Sequence, residues 1–436
     1  MFIIIFILKI AGVGLLPSSI KPKRVIRDPI HGNISLFEAE EEILNSFEFQ
    51  RLRFISQLSL CSFVYPGATH SRFAHCLGTM HLCGEMYKYL CTNSNISFDD
   101  EMFKAVRLAG MLHDIGHGPF SHIFERGVSF FNMKVKNANL QFDHEDMGNK
   151  IVSTLLADKI DNLDLVTKLL KGKDLSPDLW WLAQIISSEV DADRSDFLLR
   201  DSYYSGVTYG TFELARLLET MCVEQQEDGN SVIAFEKKGL MALENFMFAR
   251  YNMYRGVYFH HLNIIGDVML SRALFELLSR DLYPLKAISD PKEFVKWNDT
   301  RIFGLLHDIA FSKTNFPENP NIQTIQGLLS RTLWKRLKID GFQPVELREK
   351  VKNFVSKKGV DLDFIFEEVT IKKMPYTRIP YHLEGTKPTT IFVRERSGEL
   401  KDLADVMKIQ VAPDFLYNKE FIVHPGYIQE LIESIN

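Results

Sequence analysis

The chain has 436 residues, 46% of them apolar and 25% charged, with a formal net charge of −5. That balance suits a soluble globular protein with a large core, and it excludes an overall basic field that would draw the chain onto nucleic acid. The five cysteines (Cys61, Cys76, Cys83, Cys91 and Cys222) form no C-x-x-C pair. An odd number without framework spacing excludes a disulfide scaffold and predicts reduced thiols in a cytoplasmic setting.

The N-terminal segment 1–20 opens with an apolar run interrupted by Lys9. It has the length of a signal core without the charged flank, and it is short for a membrane span. It reads as an apolar strand or arm packed on the body or as a start site placed too early, with membrane attachment or export as the open alternative. Nothing later reads as a transmembrane segment.

The remainder is mostly helical in pattern. Residues 36–58 repeat apolar positions at helical spacing, Phe47, Leu52, Ile55 and Leu58 among them. Residues 101–116 form a second predicted helix, stopped by Gly116, Gly118 and Pro119. Residues 180–201 and 238–279 read as further helices, and 139–143 as a loop ahead of His144. From about Leu282 prolines become more frequent and short β-rich runs appear at 389–393, 408–412 and 420–424. The expected organisation is an apolar segment (1–20), a helical core (21–285) and a smaller C-terminal α+β lobe (286–436). The fold class is mainly α.

The run LHDIGHGPFS (112–121), followed by His122, sets His113 beside Asp114 on an apolar helix and adds His117 one turn later. A buried His–Asp pair is costly unless it is paired or bound to a metal. His75, the His113–Asp114 doublet and Asp193 together offer imidazole and carboxylate donors suited to a divalent metal: Mn, Fe, Zn or Mg. Such a cation would polarise a phosphorus centre and lower the pKa of bound water. Each residue alone has a plain structural account, His75 as a hydrogen-bonded histidine and Asp193 as a salt-bridge partner of Arg194 or Arg200. The doublet alone is also weak, because His307–Asp308 repeats it without the following Gly-His; that copy reads as surface helix.

Six motifs occur in order: VIRDPIHG (25–32), QRLR (50–53), PGATHSRFAHCLG (66–78), LHDIGHGPFSH (112–122), His144–Glu145 and DADRSDFLLRD (191–201). Together they resemble the HD-domain deoxynucleoside triphosphate triphosphohydrolases, a family of bacterial dNTPases and a vertebrate restriction factor with SAM and HD domains. The resemblance covers roughly residues 22–275 closely and the C-terminal lobe loosely. It implies an HD-type helical core and hydrolysis of a dNTP to deoxynucleoside and inorganic triphosphate. By the same resemblance His75, His113, Asp114 and Asp193 are the metal ligands. His117 lies near the α-phosphate, His122 is the general acid, and Glu125 with His144 forms a supporting dyad. Glu125 replaces the family's Asp. Arg72, Arg194 and Arg250 match phosphate-contacting positions, Arg194 in place of a Lys. Gln57 and Asp201 match groups on the 3′-hydroxyl, while Leu58 and Tyr258 crowd the 2′ position. Phe197 stands where many relatives have Tyr, and Tyr254 where the vertebrate member has His.

Arg24, Asn45, Gln50 and Arg53 match parts of an allosteric nucleotide pocket at subunit interfaces. Asn45 occupies the place of an Asp that reads guanine; Asn offers both donor and acceptor, so the resemblance implies a guanine selection that is altered or lost. The resemblance thus implies a dNTP substrate, a nucleotide activator, and a homodimer or homotetramer. Neither nucleic acid nor a membrane is expected as a partner. Two other readings stay open: an HD phosphohydrolase acting on another nucleotide or nucleic acid, and a non-catalytic nucleotide-sensing scaffold.

Overall fold

The computed structural model describes residues 21–312, 319–337, 344–371, 390–407 and 418–435. The apolar segment 1–20 and the β-rich run 408–412 lie outside the described residues.

The described chain enters through an antiparallel hairpin, β1 (Arg24–Asp28) and β2 (Gly32–Leu36). Asp28 shapes the turn, its Oδ1 accepting the N–H groups of Ile30 and His31 at 2.9 Å each. The stretch 36–58, expected as one helix, breaks into α1 (Glu38–Leu44), α2 (Phe47–Gln50) and a tight turn Arg51–Phe54. Ser46 causes the break. Its hydroxyl donates to the Ile43 carbonyl and accepts the Phe49 N–H, closing one helix and capping the next.

The centre is α3 (Arg72–Asn93), buried on most faces and packed along α4 (Asp100–Leu112). Asp99 caps α4 through the N–H groups of Glu101 and Met102. This helix ends at Leu112, earlier than the expected 116. Around them lie α5 (His122–Lys134), α6 (His144–Leu155), α7 (Leu163–Lys171), α8 (Trp180–Ile186) and α9 (Ala192–Ser205). The predicted 180–201 helix is therefore two, because Asp191 accepts from Ser188 N and Arg194 N and starts a new helix there. Residues 139–143 are non-helical, as expected, with Asp143 capping α6.

Next come α10 (Leu214–Thr220), β3 (Met221–Gln225), β4 (Ser231–Glu236), α11 (Leu240–Met253) and α12 (His261–Ser279). A π-helical turn at Tyr254–Tyr258 separates the last two, dividing the predicted 238–279 helix. The chain continues through α13 (Pro291–Phe294), α14 (Asp299–Phe311), α15 (Pro320–Ser330), β5 (Lys335–Leu337), α16 (Pro344–Lys358), β6 (Phe366–Ile371), β7 (Phe392–Arg394), β8 (Leu400–Asp402), α17 (Leu403–Val406), β9 (Asn418–Val423) and α18 (Ile428–Ile435). Strands β3, β4, β7 and β8 form one sheet in that order, and β9 lies between β5 and β6 in another. The β-rich runs 389–393 and 420–424 thus contribute to β7 and β9.

The chain is mainly helical, with its larger sheets drawing on the C-terminal part. One apolar core includes Ile34, Phe103 and Leu277 and continues through Phe294, Ile325 and Trp334. A second, smaller core gathers Leu337, Val351, Phe366, Phe421 and Leu431. His307 and Asp308 lie exposed on α14, as expected of a surface doublet. All five cysteines are free and buried. No helix among the described residues is long and apolar enough to cross a membrane.

On α12, burial pushes the Asp267 carboxyl up to about 7, against the opposing pull of Arg126. The unfolded value is about 3.9, so the native state binds the extra proton and stability falls as pH rises from about 4 to 7. Asp267→Asn mimics the protonated form. Its melting temperature should match wild type near pH 4 and exceed it increasingly up to pH 7, levelling off above. A constant difference across a calorimetric pH series would contradict this.

Candidate active site

The first turn of α3 carries Arg72 and His75, the C-terminal end of α4 delivers His113 and then Asp114, and the first two turns of α9 carry Asp193 and Asp196. The approach of α9 to α3 requires glycine at 78, because a Cβ there would lie 1.8 Å from Asp196 Oδ1. His75 Nε2 lies 3.0 Å from Asp193 Oδ1, 3.3 Å from His113 Nε2 and 3.6 Å from Asp114 Oδ2. His113 Nε2 lies 3.4 Å from Asp114 Oδ1 and 3.5 Å from Asp193 Oδ1.

Donor atoms about 2.0–2.2 Å from a common centre are about 3–3.5 Å apart, so the spacing of His75, His113 and Asp193 fits one divalent cation, and Asp114 stands beside them with one oxygen toward each histidine. The donors are also in the right form. His75 Nδ1 sits 2.8 Å from Asp196 Oδ2 and His113 Nδ1 sits 2.8 Å from the Gly110 carbonyl. Each Nδ1–H has an acceptor, which leaves both Nε2 lone pairs directed inward. Without a cation a proton takes that role: burial opposes charge on His75, but Asp193 and Asp196 outweigh it and push the imidazole up to about 10. Despite burial, Arg72, His113 and His117 hold the Asp114 carboxyl well below the usual range.

Behind His75 lies a buried network absent from the expected site residues. Asp196 accepts from His31 Nε2 at 2.7 Å and from Arg200 Nε and Nη2 at 2.8 Å each. Arg200 Nη1 reaches Asp28 Oδ2 at 2.8 Å, tying the N-terminal hairpin to α9. The three-residue spacing of Asp193 and Asp196 on one helix face was the available signal.

The chain beyond Asp114 turns back sharply. Gly116 packs on α6 where a Cβ would lie 2.1 Å from the His144 carbonyl. His117 stacks on His144 at 4.0 Å and 15°, and meets His122 edge-on at 4.8 Å. Its Nε2 lies 3.2 Å from Asp114 Oδ1. Burial, then Arg72, hold His117 well below its usual pKa, so it stays neutral at pH 7. His144 Nδ1 bonds Glu125 Oε1 at 2.6 Å, and His122 Nδ1 lies 3.5 Å from Glu125 Oε2. Burial disfavours charge on both members of the dyad, but Glu125 raises His144, and His122 together with His144 lowers Glu125. His122 is 66% exposed and open to an incoming group. These four side chains form a second group that could hold a metal, each offering one donor atom within 4.8 Å of the others. Arg51, also absent from the expected set, fixes the turn from beneath. Its guanidinium donates to the His117 carbonyl at 2.9 and 2.7 Å and to the Ile115 carbonyl at 3.1 Å.

A second polar cluster joins Tyr258, Asp201 and His70. Tyr258 donates to Asp201 Oδ2 at 2.7 Å, and His70 Nε2 lies 2.7 Å from Asp201 Oδ1. The Gln57 N–H donates to the His70 carbonyl, while its Oε1 is buried without a hydrogen-bond partner among the described residues. Tyr254 packs edge-on against Tyr258, and Leu58 is half-buried beside the core.

Two family models match the chain: the HD domain over residues 72–201 and the HD associated region over residues 212–365. The chain belongs to the HD-domain family.

An uncharacterized protein of Methanocaldococcus jannaschii is 37% identical over 267 residues, covering 61% of this chain and 52% of that protein. A deoxynucleoside triphosphate triphosphohydrolase SAMHD1 homolog of Dictyostelium discoideum is 31% identical over 328 residues, covering 73% and 60%. The chain thus spans little more than half the length of these curated relatives. The crystal structure of a phosphohydrolase from Bacteroides thetaiotaomicron superposes with a TM-score of 0.72 at 25% identity, covering 92% of this chain and 99% of that one.

The HD-domain match runs from Arg72 to Asp201 and so encloses all four expected metal ligands. The expected phosphate-contacting arginines are engaged by protein groups here. Arg72 pairs with Asp114 and donates to Ser121 Oγ at 2.7 Å. Arg194 pairs with Asp191, and Arg250 Nη1 with Glu189 Oε2 at 2.6 Å. Phe197 packs edge-on at 6.2 Å from Tyr258. The residues expected at an allosteric pocket lie along β1, α1 and α2. Arg24 Nε pairs with Glu41 at 2.6 Å, Asn45 closes α1, Gln50 Nε2 donates to the Leu44 carbonyl at 2.6 Å, and Arg53 Nε donates to Gln50 Oε1 at 2.7 Å.

Proposed function

We propose that this HD-domain phosphohydrolase is a dNTP triphosphohydrolase, converting a dNTP and water to a deoxynucleoside and inorganic triphosphate. The observation that supports it best is the buried Gln57 Oε1, without a hydrogen-bond partner among the described residues, on a residue whose N–H donates to the His70 carbonyl; His70 and Tyr258 in turn meet Asp201, on the helix that also bears the metal-site carboxylate Asp193. An orphaned buried acceptor costs about 1–3 kcal/mol, which a sugar hydroxyl would relieve. Leu58 and Tyr258 would leave little room for a 2′-hydroxyl.

Held by His75, His113, Asp114 and Asp193, a divalent cation (Mn, Fe, Zn or Mg) would polarise the phosphoryl group and lower the pKa of water. Water adds to the α-phosphorus as the bond to the 5′-oxygen breaks. His122, exposed and beside Glu125, gives its proton to that poor leaving group. His144, oriented by Glu125, faces the attacking water and receives a proton, while neutral His117 stacks behind it near the α-phosphate. Arg72, Arg194 and Arg250 hold the triphosphate, the last two by exchanging Asp191 and Glu189 for phosphate oxygens.

Phosphorus NMR of the protein with mixed dNTPs and Mn or Mg tests the reading, with and without added GTP as activator. Inorganic triphosphate supports it. A different phosphorus product points to another HD substrate, and nucleotide binding without turnover points to a sensing scaffold. A homodimer or homotetramer in a cytoplasmic setting belongs to the same reading, supported by exposed Val25, Phe47 and Phe54 near the positions expected at the activator pocket. Mass photometry should show two or four copies; a monomer with and without nucleotides contradicts this part.

A further inference from the structure

We propose that Asp299 is a positioning residue that holds the His122-bearing turn and the Gln57-bearing loop in one register. The inference rests on the triphosphohydrolase reading of the site. Asp299 is the first residue of α14, within the HD associated region, and only 9% exposed. Its carboxylate is directed at two loops distant in sequence. Oδ2 accepts the Ser56 N–H at 2.8 Å and the Ser56 hydroxyl at 2.6 Å, across 243 positions of chain. Oδ1 accepts the Phe120 N–H at 2.7 Å.

Both loops lead directly into proposed substrate contacts. Ser56 precedes Gln57 and Leu58. Phe120 precedes Ser121 and His122, and Phe120 and Ser121 both have φ of 60°. Side-chain-bearing residues hold that conformation only where their surroundings over-determine it. The Phe120 N–H bond to Asp299 is one such constraint. A second closes the loop: Ser121 Oγ donates to the Ser56 carbonyl at 2.7 Å and accepts Arg72 Nε. The acid-bearing turn and the sugar-facing loop thus share one buried anchor from outside the HD domain.

The anchor must be a carboxylate. Donors approach both oxygens, and an ionised Asp can accept at each. In Asp299→Asn one oxygen becomes an NH2 group facing either the Ser56 donors or the Phe120 N–H, so one loop is released while side-chain volume is kept.

Asp299→Asn is compared with wild type well below both melting temperatures. We expect kcat to fall about 10- to 100-fold and the preference for dNTP over NTP in kcat/KM to fall about tenfold, because displacing a reacting group by about 1 Å has effects of that size. Metal content per chain should not change. Ser56→Ala, which removes a single hydrogen bond, should lower the dNTP preference more than kcat. Wild-type kcat and preference in folded Asp299→Asn, or losses that only track the unfolded fraction, would overturn the inference. If wild type releases no inorganic triphosphate, the underlying reading fails instead. Positioning is then still tested by histidine-labelled NMR: the His122 ring signal should shift in Asp299→Asn while His307 stays put, and an unmoved His122 signal would overturn it.

Discussion

Asp114→Ala is expected to abolish release of inorganic triphosphate, while His307→Ala, on the exposed second doublet, leaves turnover at the wild-type level. Asp114 Oδ1 lies 3.4 Å from His113 Nε2 in the proposed cation site, while Oδ2, 3.6 Å from His75 Nε2, also pairs with Arg72. Its loss removes a negative donor from a proposed site where two imidazoles and Asp193 remain, and it frees Arg72 from the place proposed to hold the triphosphate. Helix propensity does not govern the structural cost, because α4 ends at Leu112 and Asp114 lies beyond it. The cost comes from leaving the Arg72 guanidinium buried without its carboxylate, about 3–5 kcal/mol for a broken buried pair. The variant should therefore melt lower than wild type, with helix content by circular dichroism unchanged below the transition. Phosphorus NMR of the folded variant decides the matter: retained triphosphate release would show that Asp114 is no ligand. Loss of turnover in folded His307→Ala would assign the chemistry to the other doublet.

Asp196→Asn is expected to weaken metal binding about 10- to 100-fold, the usual effect of removing the carboxylate behind a metal-bound histidine. Asp196 Oδ2 receives His75 Nδ1–H and Arg200 Nε, while Oδ1 receives His31 and Arg200 Nη2. Asn has one acceptor oxygen, so its NH2 group must oppose one of these donor pairs. If it opposes His75, the imidazole proton moves to Nε2 and points into the proposed cation site. If it opposes His31, Arg200 loses a contact and keeps Asp28 as its remaining carboxylate partner among those described. Either arrangement also destabilises the fold, since Arg200 is fully buried. Chelator competition with Mn or Zn on folded protein measures the metal effect apart from stability. Wild-type affinity in the variant would mean that His75 is oriented without Asp196.

Much of the site was legible in the sequence because its signals are local. The His113–Asp114 doublet, the Gly-His step to His117 and the break at Gly118–Pro119 lie within ten residues, and the matching run in α14 lacks the second half. Helix existence was legible for the same reason, since period and apolar pattern are set by near neighbours. Helix continuity was not. The breaks at Ser46, Asp191 and Tyr254–Tyr258 depend on how side chains satisfy backbone groups, and an apolar pattern runs through all three.

The sequence by itself determined the helical class, the donor types of the proposed metal centre and the family resemblance, because each is written in residue type and short spacing. Only the tertiary structure decided which buried charges meet. Asp28 reaches Arg200 across the fold, Arg51 supports the His117 turn, and Asp299 ties Ser56 to Phe120. The same holds for Arg194 and Arg250, which meet Asp191 and Glu189. These pairings follow from burial, which makes an unpartnered charge so costly that packing must bring it a partner, and no local pattern records which partner that is.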